Sequence, residues 1–263
     1  MGLASTLAMA LDPAVFSVVA GIEPDPWQAD VLRSSAPRIL LNCCRQSGKS
    51  TTVATLAAHT AIYQPGSLVL IVSPTQRQSA ELLRKVADAL GAGGPVGMEA
   101  ESVLSLETAA GSRVVALPGK ESTVRGYSAD LLLIDEAAYV ADPLYSAVRP
   151  TLALRQGRLI ALSTPWARRG WWADAWHSSE AWERKEVTVY QVPRIPEAFI
   201  EEERRNLGPL LFASQYECTF VDPKGAAFRS EEVDRAFSKE YEPWSETWNL
   251  SSALHPSSER RYP

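Results

Sequence analysis

The chain has 263 residues, 46% of them hydrophobic, with 26 basic against 31 acidic side chains and a formal charge of −5. That length suits one large α/β domain with a small appendage, and no apolar run approaches the ~18 residues a membrane span needs. The negative charge excludes global attraction to nucleic acid, so any such contact must come from local basic patches.

Leu3 to Leu11 is mildly apolar but has no basic leader and no cleavage pattern, and it does not read as a signal peptide. Pro26-Trp27-Gln28 follows shortly before the first expected strand. A Gln there can read an adenine edge with its amide, or it is a surface Gln beside a core Trp. Ile39–Asn42 is a short apolar strand, and Cys43-Cys44-Arg45-Gln46-Ser47-Gly48-Lys49-Ser50-Thr51 is a tight polar loop leading into a helix over Ser50–Tyr63. This is the layout of a phosphate-binding loop. Backbone N–H groups and the helix N-terminus face an anion, Lys49 neutralises phosphate charge and the Ser50 hydroxyl reaches Mg²⁺. The general motif wants Gly where Cys43 stands.

Further strands are expected at Leu68–Ser73, Val103–Glu107, Arg113–Leu117, Leu131–Asp135, Leu159–Ser163 and Val187–Val192. Helices are expected near Gln76–Leu90, Leu144–Leu154, Trp171–Ala181 and along Ile195–Leu211. Ala109-Ala110-Gly111 supplies a hairpin turn inside Val103–Leu117. The remaining strand–helix alternation implies a mostly parallel α/β sheet covered on both faces. Leu131 to Ile134 reads as a strand buried on both faces, with Asp135 and Glu136 at its carboxyl end, where open parallel sheets bind ligands. Asp135 suits a Mg²⁺ ligand and Glu136 the orientation and deprotonation of water, although an N-cap with an acid in the first helical turn reads the same way. Joined to Gly48-Lys49-Ser50, the pair points to nucleoside triphosphate hydrolysis. Cys43, Cys44 and Cys218 form neither a disulfide framework nor a metal cluster, and His59, His177 and His255 show no zinc spacing, which suits a reducing compartment.

Ser73-Pro74-Thr75 and Ser163-Thr164-Pro165 end two more strands in small hydroxyl residues, and Thr164 could sense a γ-phosphate. Taken in order, Trp-Gln, Arg-Gln-x-Gly-Lys-Ser, Ser-Pro-Thr, Arg-Gly, Asp-Glu and Ser-Thr-Pro resemble the large terminase subunit of tailed bacteriophages, over roughly residues 24–225. That family's phosphate loops carry Arg-Gln and often lack the first Gly, so Cys43 departs from the general motif only.

The resemblance implies a P-loop NTPase core of RecA/ASCE type over 1–192, while the charged helical pattern after Pro193 reads as a small helical lid over 193–228 and the Pro, Ser and charges beyond it as a linker or tail over 229–263. It implies an ATP- and Mg²⁺-dependent motor that moves double-stranded DNA into a procapsid. Gln28, Arg45, Gln46, Ser47, Gly48, Lys49, Ser50 and Thr51 would bind the nucleotide, and Ser50 and Asp135 the metal. Glu136 would be catalytic, with Lys49, and Ser163-Thr164-Pro165 would couple hydrolysis to movement. The preferred arginine finger is Arg125, acting in trans within Ser122–Tyr127, and Arg45 is its rival in cis. Implied partners are portal or procapsid, the small terminase subunit and further copies in a ring, a pentamer by the same resemblance, in the host cytoplasm. The family's nuclease domain is expected to be absent, since the residues after Phe228 hold no strand ending in a suitable Asp.

DNA contacts are expected from Arg113 on the hairpin, from Arg77, Arg84 and Lys85, or from Arg168-Arg169 beside Trp166, Trp171 and Trp172; these tryptophans read equally as core. Two other readings are a helicase-like translocase and a nucleotide-binding module that only orders a ring. Intact Lys49 and Glu136 speak against the second, and the lack of room for a second motor core against the first.

Overall fold

The computed structural model describes residues 2–93, 98–117 and 119–221. Three helices open the chain: α1 (Leu3–Leu11), α2 (Pro13–Val19) and α3 (Pro26–Arg33). Then come β1 (Arg38–Cys43), α4 (Lys49–Tyr63), β2 (Leu68–Val72), α5 (Gln76–Gly93), β3 (Met98–Ser102), β4 (Ser105–Thr108) and β5 (Arg113–Leu117). The second half holds β6 (Leu131–Asp135), α6 (Asp142–Val148), β7 (Arg158–Ser163), α7 (Gly170–His177), β8 (Glu183–Val187), α8 (Glu197–Leu207) and α9 (Pro209–Tyr216).

The strands form one eight-stranded sheet in the order β3-β4-β5-β2-β6-β7-β1-β8. From β5 to β8 every neighbouring pair is parallel, and β3, β4 and β5 add an antiparallel meander at one edge. Alternation along the central strands divides the core. Ile39, Leu41, Val69, Ile71, Leu131, Leu133, Ile160 and Leu162 face the layer of α1 to α5, α8 and α9. Leu40, Leu70, Val72, Leu132, Ile134, Leu159 and Ala161 face α6, α7 and Trp182. Both faces are covered, which is why these strands read as unbroken apolar runs. Each of these Leu, Ile and Val side chains contributes about 1.5–3 kcal/mol on burial.

Several boundaries differ from the sequence reading. The expected strand Val187–Val192 is instead Glu183–Val187, with a 3-10 turn over Val189–Gln191. The Thr188 N–H donates to Gln191 Oε1 at 2.8 Å and closes that turn, while Val189 and Val192 stay buried without being strand. The helix expected to reach Ala181 stops at His177, because Arg184 donates to the Ala175, Trp176 and Ser178 carbonyls and caps it. The helix expected over Leu144–Leu154 is α6 followed by a 3-10 turn over Arg149–Leu152, where Pro150 has no N–H to donate. The hairpin strand expected at Val103–Glu107 lies at Ser105–Thr108, and β3 precedes it. The helix expected along Ile195–Leu211 is two helices broken at Gly208, which takes φ 71.

Nor do these two helices form a separate lid. Ile200, Phe212 and Tyr216 join the same core cluster as β1 and α4, and the compact unit runs from Met1 to Val221. The tail expected over 229–263 lies outside the described residues. No helix among the described residues is long and apolar enough to cross a membrane.

Candidate nucleotide site

Strand order brings the site together. β7 lies between β6 and β1, so three neighbouring parallel strands present their carboxyl ends side by side. The loop after β1 turns into α4 through Gln46 (φ 61) and Gly48 (φ 92), both left-handed. The orphan N–H groups of Lys49, Ser50 and Thr51 at the start of α4 suit an anion. Cys43, in the place of the usual first Gly, is the last residue of β1, is fully buried in the core and does not take a positive φ. Nothing in the backbone there requires glycine. Burial pushes the Cys43 thiol up to about 12 and the Cys44 thiol up to about 11, while nearby Lys49 pulls both down.

A cleft of about 1100 Å³ opens over this edge. Among the residues expected at the site, Gln28, Arg45, Gln46, Ser47, Gly48, Lys49, Ser50, Thr51, Glu136, Thr164 and Pro165 line it. Lys49 is buried, and its Nζ donates to Thr164 Oγ1 at 3.2 Å and lies 3.8 Å from Glu136 Oε1. Strand alternation explains the division of labour in Ser163-Thr164. The Ser163 Oγ turns to the other face and accepts the Ala138 N–H at 3.2 Å, leaving Thr164 on the side of Lys49.

Asp135 continues the alternation of Leu131 and Leu133, so its carboxylate points to the face that α4 covers. It is buried, and its Oδ1 accepts the Glu136 N–H at 3.0 Å. Burial, and then the neighbouring Glu136 charge, push its carboxyl up to about 6 against the pull of Lys49. A buried acid so short of countercharge is chemically suited to a cation arriving beside Ser50. Glu136 takes φ 50, a conformation that costs a non-glycine residue of order 1 kcal/mol and turns its side chain out of the strand line into the cleft.

Two expected residues lie elsewhere. Arg125 is exposed and does not line the cleft. Arg113 opens β5 in register with Leu68 of β2, at the amino edge of the sheet and so at the end opposite Lys49. Gln28 is buried with its amide already engaged: Oε1 accepts the Asp25 N–H at 2.8 Å, and Nε2 donates to Thr52 Oγ1 at 2.9 Å. Base reading by Gln28 requires these bonds to exchange.

Of the DNA candidates, Lys85 instead lines the cleft, and its charge acts on Asp135. Arg84 pairs with Glu81. Trp171 and Trp172 are core, whereas Trp166 is half-exposed at the cleft, 5.9 Å from Tyr139. Sequence reasoning missed Tyr139, Arg194 and Gln215. The Gln215 carbonyl accepts the Arg45 N–H at 3.0 Å, and Ser214 Oγ donates to the Pro165 carbonyl at 2.8 Å, so α9 ties the phosphate loop to the end of β7. Only Tyr139 carried a local signal, standing three residues after Glu136.

Residues 40–235 match the family described as terminase large subunit, T4likevirus-type, N-terminal. The chain belongs to that family. The terminase large subunits of Thermus phage G20c and Thermus virus P23-45 are each 29% identical to it, across 57% of this chain and 35% of theirs. The chain thus spans about a third of the length of these curated relatives. The large terminase ATPase domain of Thermus phage P74-26 shares the fold, with a TM-score of 0.68 at 22% identity over 78% of this chain and 97% of that one. The large terminase of a thermophilic bacteriophage in complex with ADP gives 0.65 at 11% identity, over 75% and 54%. Terminase membership and the α/β fold expected from the motifs both hold.

Proposed function

We propose that this domain hydrolyses ATP as the motor of viral DNA packaging, moving double-stranded DNA into a procapsid. The observation that carries the reading is the convergence of Lys49, Thr164, Asp135 and Glu136 at the ends of three adjacent strands. The family match, and the ADP complex of the thermophilic-phage terminase, support nucleotide as the ligand.

The chemistry follows from the pairing around Lys49. Its ammonium is shared between Thr164 and Glu136. Phosphate oxygens draw it away, leaving Glu136 free to accept a proton from the attacking water. Thr164 loses its donor in the same event, so the end of β7 registers occupancy and passes it to α9 through Pro165 and Ser214. Ser50 and Asp135 would hold Mg²⁺, which when bound neutralises phosphate charge. Arg125, exposed and away from its own cleft, suits a finger offered to a neighbouring copy in a ring, whereas Arg45 lies in the cleft itself. Duplex DNA would be gripped through phosphates without base reading, and portal and small subunit would dock the motor.

Steady-state ATP turnover with and without procapsid or portal tests this. Glu136→Gln is expected to keep ATP affinity and lower kcat by at least ~10²-fold, and near-normal turnover would remove Glu136 from the mechanism. Mixing Arg125→Ala with Glu136→Gln protein should restore activity if the finger acts in trans. Wild-type turnover that stays negligible in the assembled motor would favour a nucleotide-ordered assembly module.

A further inference from the structure

We infer that Asp25, Gln28 and Arg194 form a clamp on the outer side of the phosphate loop, with Arg194 a positioning residue for phosphate binding; this rests on the ATP-site reading above. Arg194 precedes α8 and carries no sequence motif. Its Nη2 donates to the Ser47 carbonyl at 2.8 Å and lies 3.0 Å from Asp25 Oδ2, an ion pair whose alignment falls short of a hydrogen bond. The Asp25 N–H in turn holds Gln28 Oε1 at 2.8 Å, and Gln28 Nε2 reaches the Gly48 carbonyl at 3.5 Å as well as Thr52 Oγ1. Arg194 and Gln28 close on the loop so tightly that a Cβ on Gly48 would sit 2.9 Å from Gln28 Nε2 and 3.2 Å from Arg194 Nη2.

The consequence follows from peptide planarity. In a trans peptide the N–H of one residue points opposite to the carbonyl before it. Holding the Ser47 carbonyl against Arg194 therefore aims the Gly48 N–H away from the clamp, and holding the Gly48 carbonyl does the same for the Lys49 N–H. These are donors that an anion at a helix N-terminus uses. Asp25 anchors both arms, since it fixes the guanidinium through charge and the amide through its backbone. Arg194 also lines the cleft, so the rival role is direct contact with a phosphate. The two roles give opposite predictions for Asp25: a positioning guanidinium needs its carboxylate, whereas a direct ligand is freed by losing it.

The test is a double-mutant cycle on nucleotide dissociation constants, using the full chain with ATP, ADP, GTP and inorganic pyrophosphate as probes. Arg194→Gln should weaken ATP, ADP and pyrophosphate alike by about 10–100-fold, the range for losing a hydrogen bond from a charged group, and leave the ATP-to-GTP ratio unchanged. Asp25→Asn should reproduce most of that loss, and the double variant should be no worse than Arg194→Gln alone. Arg194→Lys, one point charge facing two acceptors, should recover only part of the affinity and serves if Arg194→Gln does not fold. Additive losses, or Asp25→Asn protein that binds as well as wild type, overturn the clamp while leaving the ATP site intact. A wild-type chain that binds none of the probes overturns both.

Discussion

β6 has an aspartate at each end, and the two could hardly be placed more differently. Asp130, just before the strand, accepts the Leu68 N–H at 2.7 Å and pairs with Arg155 at 2.9 Å. Nearby, Arg158 donates to the Ser34 and Ala36 carbonyls, so hydrogen bonds tie the amino edge together. Asp135, five residues on, is buried beside another acid, with one backbone N–H as partner and Lys49 already shared between Thr164 and Glu136. Left-handed backbone does not separate the ends, since Gln156 at the amino edge takes φ 50 as Glu136 does. Uncompensated charge does. One end of the sheet is built for stability and the other keeps interactions in reserve for a ligand.

The comparison breaks most visibly if the two aspartates are neutralised. Asp135→Asn should cut turnover by at least ~10²-fold while raising the stability of the nucleotide-free protein by about 1–3 kcal/mol, because a buried charge is relieved. Its amide oxygen still accepts the Glu136 N–H, so that backbone bond is kept, and denaturant unfolding measures the change. Gly48→Ala forces a side chain into φ 92 against Gln28 and Arg194. It should cost about 1–2 kcal/mol of stability and weaken ATP binding by at least ~10-fold in equilibrium titration.

Asp130→Ala should behave in the opposite sense to Asp135→Asn. Stability should fall by about 1–3 kcal/mol, with the Leu68 N–H left unsatisfied, and ATP affinity should stay within about 2-fold of wild type. The smallest effect belongs to His59, towards the far end of α4, where burial lowers its pKa from 6.5 although the Met9 carbonyl partly supports the charged form. The unfolded chain binds the proton more readily, so stability should be full above about pH 6.5 and decline as pH falls below it. Thermal unfolding across pH 5 to 8 should lose part of this slope in His59→Gln protein (roughly that window, by the usual histidine range).

Much of this was readable in advance, for a physical reason. β2, β5, β6 and β7 are flanked on both faces, so burial writes them as apolar runs, and Lys49, Asp135 and Thr164 stand where those runs or the adjoining loop end. β8 escaped because an edge strand buries little, and its Glu183-Arg184-Lys185-Glu186 run looks like a solvated surface. Its neighbour Val187–Val192 has the apolar residues but also a capping glutamine that folds it into a turn. Arg194, Lys85 and Gln215 reach the cleft from distant elements through packing, and a lone basic or amide residue advertises nothing about its destination. Gln28 reads in the sequence as a base reader or as a surface Gln beside a core Trp, and its hydrogen bonds are visible only once α3 is set against the phosphate loop. α1 and α2 leave little trace in the sequence because their buried core residues, Met9, Ala14 and Phe16, are few.

The same charged run on β8 bears on how the molecule keeps to itself. Among the described residues, β8 pairs with β1 on one side and ends the sheet on the other, a place where an unpaired ladder invites a second chain to continue it. Lys185 there is held by Asp30 at 2.7 Å, and Arg184 is locked into the carbonyls at the end of α7. An incoming strand would run alongside four charged side chains, Glu183 to Glu186, two of them held by partners on the faces of the sheet. Extension of the sheet by a second chain is therefore disfavoured at this border.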